Sequence, residues 1–316
     1  MALDQATQNL LAEMAKMGGK PIHESTPQEA RELSGKLKDF QGEGPAMLEE
    51  KQMKIDVEYG VIDAHILKPS LDPDGVLVYY HGGGWVVGKA TDFEVLGKKL
   101  ARQTNTIVIL VDYRKAPENP FPAAINDSYT ALSWVEANMK EIAGREVPLF
   151  IAGDSAGGNI CAVLALKARD MAGPKIAMQI LIYPVTDHNF ENDSYSDPEN
   201  QLMLEKRSMI WFWDHYLSKI EDRNAYEASP LHAKNFSDLP PAVVITAGHD
   251  VLREEGEKYA AKLIEAGVSV RFKRFPHQMH GFFTMANILP GSDAALHFIN
   301  DAIRSYLSES EPKFTS

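Results

Sequence analysis

The sequence predicts an α/β protein in which a mostly parallel eight-stranded sheet is flanked by helices and covered by a helical cap. Three observations lead there. Eight short apolar runs rich in branched residues recur along the chain, separated by helical stretches. The middle runs are almost continuously apolar, as strands buried on both faces must be. One of them, in PLFIAGDSAGGNICAVLALKA (148–168), passes from strand to helix through a glycine-flanked turn.

Taken in order, the chain begins with Leu3, Leu10, Met14 and Met17 at helical spacing, with no basic leader and no continuous apolar core. This predicts an amphipathic helix rather than a signal peptide, and a cytoplasmic protein. STPQEARELSGKL (25–37) reads as a second helix, with Ser25 or Thr26 as cap, Pro27 in the first turn and Glu29 soon after. QGEGPAM (41–47) breaks the pattern. The strand candidates then follow: KIDVEYG, IDAHILKP, GVLVYYH, TIVILVDY, PLFIAGD, AMQILIYPV, PAVVITAG and VSVRFKRF. The first two alternate apolar with polar residues, as an antiparallel edge does. Residues 187–235 interrupt the alternation with a polar loop and the aromatic helix MIWFWDHY (209–216). That helix reads either as packed on the sheet or as part of a cap over an apolar site. The expected organisation is therefore a cap made from 1–45 and 187–235, and a catalytic domain made from 46–186 and 236–316.

Composition narrows the function. With 44% apolar and 24% charged residues among 316, a sizeable core is expected. A net charge of −12 excludes a nucleic-acid partner, which needs a basic stripe, and gives no attraction to an anionic membrane. No run approaches the roughly 18 apolar residues of a membrane span. Cys161 is the sole cysteine, so there is no intramolecular disulfide, and its apolar neighbours predict a buried thiol. The histidines are scattered without ligand spacing, which suggests no metal site.

The chemistry centres on Ser155, two residues from Gly153 and from Gly157 in a G-x-S-x-G turn that lifts a serine above the end of a sheet. A serine hydroxyl needs a base to take its proton and an acid to orient that base. GHDVL (248–252) supplies Asp250 after one later strand, and PHQMHGF (276–282) supplies His280 after the next. Their order, Ser, Asp, His, is that of α/β-hydrolases. His277 reads as a solvated loop histidine. Glu254 and Glu255 are rival acids that fall in the following helix, where carboxylates face water or the positive helix end. HGGGW (81–85) explains its own glycines: a developing oxyanion needs preorganised N–H donors. Gly83 and Gly84 are the candidates from this loop and Ala156 the candidate beside the serine. Gly82 is expected to permit the turn, His81 to orient the loop, and Trp85 to wall the pocket or the core.

Together, HGGGW, YRKAPENPFPAA (113–124), GDSAGG (153–158), GHDVL and HGF (280–282) resemble the hormone-sensitive-lipase-like carboxylesterases, the bacterial family IV group, from about residue 55 to the end. The resemblance implies an α/β-hydrolase fold with a helical cap, and hydrolysis of short to medium acyl esters without cofactor. It implies Ser155 as nucleophile, His280 as base, Asp250 as its partner, and Gly83, Gly84 and Ala156 as oxyanion donors. It also suggests homodimers through the edge strand near VSVRFKRF. An amide or formamide hydrolase, or a ligand-binding relative without catalysis, would share the same fold. The family's acid loop reads Asp-Pro-Leu where this chain has Asp250-Val251-Leu252, so a less rigid loop is expected. The YRKAPENPFPAA run is expected to be architectural, its arginine and glutamate bracing loops beneath the site.

Overall fold

The computed structural model describes residues 2–18 and 20–310. Two helices lead, α1 (Gln5–Met17) and α2 (Pro27–Gly35). Thr26, not Ser25, caps α2: its hydroxyl accepts from the Glu29 N–H, and the Glu29 carboxylate accepts from the Thr26 N–H. The body then runs β1 (Glu49–Val57), β2 (Gly60–Lys68), β3 (Gly75–Tyr80), α3 (Glu94–Thr104), β4 (Thr106–Asp112), α4 (Ala123–Ala137), α5 (Met139–Ala143), β5 (Leu149–Asp154), α6 (Ala156–Asp170) and β6 (Ile176–Ile182). After it come α7 (Asp193–Ser196), α8 (Lys206–Tyr216), β7 (Ala242–His249), α9 (Arg253–Glu265), β8 (Val270–Met279) and α10 (Pro290–Ser310). Each of the eight strand candidates is a strand, and β8 runs on through Pro276 to Met279, which carries it to the loop of His280.

The sheet order is β1-β2-β4-β3-β5-β6-β7-β8, with β1 and β2 antiparallel and the strands from β4 to β8 parallel. The composition of each strand accounts for its place. β3, β5 and β7 are buried along their whole length, while β1 buries only Ile55, as an edge strand with one wet face does. Alternate residues of β3 feed opposite layers: Val76, Val78 and Tyr80 join one core and Leu77 and Tyr79 the other. The first layer is closed by α6, and the second by α3 and α10. Cys161 is buried within α6. From α1, Leu10 packs on the second layer; the side chain of Met17 lies outside the described ones. No helix among the described residues is long and apolar enough to cross a membrane.

Between β3 and β5 the strand order reverses direction, the place where loops at the carboxyl ends of parallel strands part to leave a crevice. HGGGW leaves β3 on one side of that crevice and Ser155 leaves β5 on the other. The two elements approach to backbone contact. A Cβ at Gly157 would lie 1.8 Å from the Tyr80 carbonyl oxygen, and one at Gly153 would lie 2.3 Å from the Gly157 carbonyl oxygen. Gly157→Ala is therefore expected to destabilise the protein by more than about 2 kcal/mol, since backbone rather than a flexible side chain must move. Urea denaturation checks this, and a wild-type midpoint would refute the packing argument.

Candidate active site

Ser155 stands at φ 56° and ψ −117°, a left-handed conformation that a residue with a Cβ adopts only when its surroundings impose it. Here the Ser155 N–H donates to the Ile182 carbonyl at 2.9 Å, and the Ser155 carbonyl accepts from Asn159 N–H at 3.0 Å as α6 begins. The turn is thus pinned to β6 on one side and to the helix on the other. Its side chain is directed at the crevice.

His280 and Asp250 come to it from the ends of β8 and β7. The Ser155 hydroxyl lies 3.1 Å from His280 Nε2, and His280 Nδ1 donates to Asp250 Oδ2 at 2.8 Å. Asp250 is fully buried, and its other oxygen accepts from the Leu252 N–H at 2.9 Å. That bond, together with the complete burial of Val251 and Leu252, ties down the loop that was expected to be looser without proline. His277 is exposed and donates from Nδ1 to the Ala2 carbonyl, away from the serine. Glu254 sits in the first turn of α9, accepts from the Asp193 N–H and pairs with Lys258. Glu255 also lies in the first turn of α9. Instead of facing water it is 1% exposed and accepts from the Thr186 and Asp187 N–H groups, fastening the start of the 187–235 segment to α9. Burial pushes its carboxyl well above the ordinary range against the pull of those two donors.

Of the three glycines after β3, Gly83 and Gly84 take positive φ, 109° and 55°, and Gly82 does not. Gly82 is required for a different reason than the turn. A Cβ there would lie 2.3 Å from Asp154 Oδ2, because the Asp154 carboxylate packs on this backbone and accepts from the Gly82 N–H at 2.9 Å. Tyr79 donates its hydroxyl at 2.7 Å to Asp154 Oδ1, the oxygen that also takes the Gly82 N–H. Burial raises the Asp154 carboxyl above its ordinary range, and these two donors draw it back. Asp154 is thus a bracket between the glycine loop and the serine turn. Sequence reasoning passed over it, although an acid at the end of an otherwise apolar buried strand is itself a signal.

The N–H groups of Gly83, Gly84 and Ala156 have no acceptor among the described residues. His81 is buried, donates from Nδ1 to the Gly82 carbonyl at 2.7 Å and stacks on Tyr113 at 4.5 Å, so it shapes the loop. Trp85 is fully buried against Tyr216 and Trp213 of α8. In the YRKAPENPFPAA run, Arg114 binds both oxygens of the buried Asp127, and Glu118 pairs with Arg31 of α2. Arg31 also donates to the Val86 and Ala116 carbonyls, which joins the N-terminal helices to the glycine loop. Its hydrogen bonds hold Glu118 down to about 2.

Above Ser155 and His280 opens a cavity of about 600 Å³, walled by Leu33 from α2, Met209 and Phe212 from α8, and Met203 and Leu204 before α8. Within the aromatic helix, Phe212 and Met209 face the cavity, while Trp213 and Tyr216 pack into the core. Phe212 also explains Gly84, where a Cβ would lie 2.2 Å from its ring. Met203 carried no sequence signal, yet its methyl would lie 2.2 Å from a Cβ at Gly281.

A strand-turn-helix serine, an acid and a histidine after later strands, and a glycine loop after β3 define a hydrolase of the α/β-hydrolase class. The family model for the alpha/beta hydrolase fold matches residues 77–284, and the chain belongs to that family, among its carboxylic ester hydrolases. It is 40% identical to carboxylesterase NlhH of Mycobacterium tuberculosis over 70% of each chain. It is 31% identical to an ethyl acetate hydrolase of Pseudomonas putida, covering 96% of this chain and 98% of that one. A crystal structure of a thermostable esterase from Pseudomonas putida superposes with a TM-score of 0.89 at 34% identity, covering 97% of this chain and 98% of the other.

The buried Glu255 gives a pH test. Because its folded-state pKa is raised, its contribution to stability is complete below the ordinary carboxyl value of 4.5 and is lost as pH rises toward the raised value, with a slope of about 1.4 kcal/mol per pH unit. Glu255→Gln mimics the protonated acid. Its unfolding free energy is expected to decline less than that of the wild type between pH 5 and 8, and parallel urea titrations showing equal declines would rule this out.

Proposed function

We propose that this protein hydrolyses short- to medium-chain acyl esters through an acyl-serine intermediate. The observation that carries the reading is the relay of 2.8 and 3.1 Å from Asp250 through His280 to Ser155, beside three N–H groups with no acceptor among the described residues. In this reading Ser155 Oγ attacks the ester carbonyl while His280 Nε2 takes its proton. Asp250 holds Nδ1–H and so leaves the Nε2 lone pair facing the serine. Negative charge moving onto the carbonyl oxygen is met by the N–H groups of Gly83, Gly84 and Ala156, donors that typically lower the barrier by about 3 kcal/mol each. His280 then gives its proton to the departing alkoxide, the alcohol leaves, and water attacks the acyl-serine by the reverse sequence. Residues 1–45 and 187–235 act as the cap over a catalytic part made of 46–186 and 236–316.

The cavity supports the size class. A cavity of about 600 Å³ whose wall includes Met203, Leu204, Met209 and Phe212 offers a medium acyl chain both room and apolar contact.

Initial rates on p-nitrophenyl esters from acetate to palmitate are expected to peak at short to medium chains, and Ser155→Ala is expected to reduce them at least about 10⁴-fold without loss of fold. Ser155-independent turnover would end the proposal. Serine-dependent turnover of matched formamides but not esters would replace it with amide hydrolysis, and failure of the folded protein to react with a fluorophosphonate would indicate a binding protein. In the same series Phe212→Ala is expected to move the optimum toward longer acyl chains, since the ring stands over Gly84 at the cavity wall. An unchanged optimum would remove Phe212 from the acyl wall.

A further inference from the structure

Away from the serine, Asp187 and His188 at the start of the 187–235 segment meet His232 near its end. One ligand atom from each lies within 4.8 Å of the other two, and among the described residues no other group of three His, Cys, Asp or Glu side chains converges in this way. His232 Nε2 lies 2.8 Å from Asp187 Oδ1, and His188 Nδ1 lies 3.6 Å from the same oxygen. Around a tetrahedral ion with bonds of about 2.0–2.1 Å, neighbouring donors stand roughly 3.4 Å apart. The two separations bracket that edge. We propose that Asp187, His188 and His232 form a binding site for a divalent transition-metal ion of the zinc class, which joins the two ends of the 187–235 segment at its base.

The donor set suits such an ion. Two imidazoles and one carboxylate match zinc's ligand preferences and leave a fourth position for water. Asp187 and His188 are partly screened from solvent, at 15% and 18% side-chain exposure, and His232 reaches them from the exposed side. His188 Nδ1 lies 3.2 Å from the Ser229 hydroxyl, a contact that an ion bound to this nitrogen would replace. On binding, the His232 Nε2 proton that now points at Asp187 moves to Nδ1 or leaves to solvent, and the metal takes its place.

The surroundings hold the carboxylate in place. Asp187 Oδ1 also accepts from the His188 N–H at 2.8 Å, and the Asp187 N–H is held by the buried Glu255. The Arg223 guanidinium acts on His188. Its charge is matched by Asp214 at 2.7 Å, and it lies over Trp213 at 5.7 Å. Sequence spacing concealed the group because His232 is far from the other two along the chain and reaches them only by the return of the segment to the body.

The test is a titration of the chelator-treated full-length protein with Co²⁺, followed by visible absorption, and with Zn²⁺, followed by calorimetry. The expected result is one ion per chain with the intense visible bands of low-coordinate Co²⁺, and a rise in Tm with Zn²⁺. In His188→Gln and in His232→Gln, affinity is expected to fall at least about tenfold and the Tm rise to vanish. Either variant suffices if the other does not fold. No stoichiometric binding by the wild type, or equal binding by a folded variant, overturns the proposal.

Discussion

The contact on which the rest of the molecule depends is that between the first turn of α6 and the end of β3. Gly157 lies against the Tyr80 carbonyl with no room for a side chain, and Gly153 lies against the Gly157 carbonyl with none either. Only at this separation does the chain turn from strand to helix within one residue, and only then does Ser155 occupy its left-handed conformation. The same closeness brings the N–H of Ala156 and those of Gly83 and Gly84 to one crevice. A looser packing would keep the sheet but separate the serine from its candidate donors.

Three buried carboxyls around this contact show how position decides role. Asp250 is placed where one oxygen takes a backbone N–H and the other takes the imidazole, so it orients His280. Asp154 receives Tyr79 and Gly82 and joins the glycine loop to the serine turn. Glu255 accepts from two backbone N–H groups, has a raised pKa, and anchors the loop that opens the 187–235 segment. Each would be costly to bury alone, and each is matched by donors from a different element.

The elements that wall the cavity are held by comparable means. Arg31 of α2 reaches the Val86 and Ala116 carbonyls and the Glu118 carboxylate, so an N-terminal helix is tied to the loop that follows the three glycines. α1 is fastened at the other side, where Asp4 and Thr7 meet Gln278 just before His280. Trp85, itself at φ 61°, packs between Trp213 and Tyr216 and links α8 to the same loop. Cavity wall and candidate catalytic loops therefore share their supports.

Much of this was legible in the amino-acid sequence, because it rests on local rules. Apolar runs of strand length made a sheet, Thr26 and Glu29 made a helix start, and glycines around Ser155 marked a turn whose steric demand any reader of the chain can state. The candidates Ser155, Asp250 and His280 could be picked since each stands just past a strand. Other features depended on which distant segments meet. Gly82 was assigned to a turn when its real neighbour is the Asp154 carboxylate, and Glu255 was assigned to water or the positive helix end, while its hydrogen-bond partners lie almost seventy residues earlier. Met203 and Phe212 as cavity wall, Arg31 as a bridge, and the meeting of Asp187, His188 and His232 likewise follow from chain return. Hydrophobic period and turn chemistry act over a few residues and are written in order along the chain, whereas burial and partnership are properties of the packed whole, decided only when the tertiary structure brings those segments together.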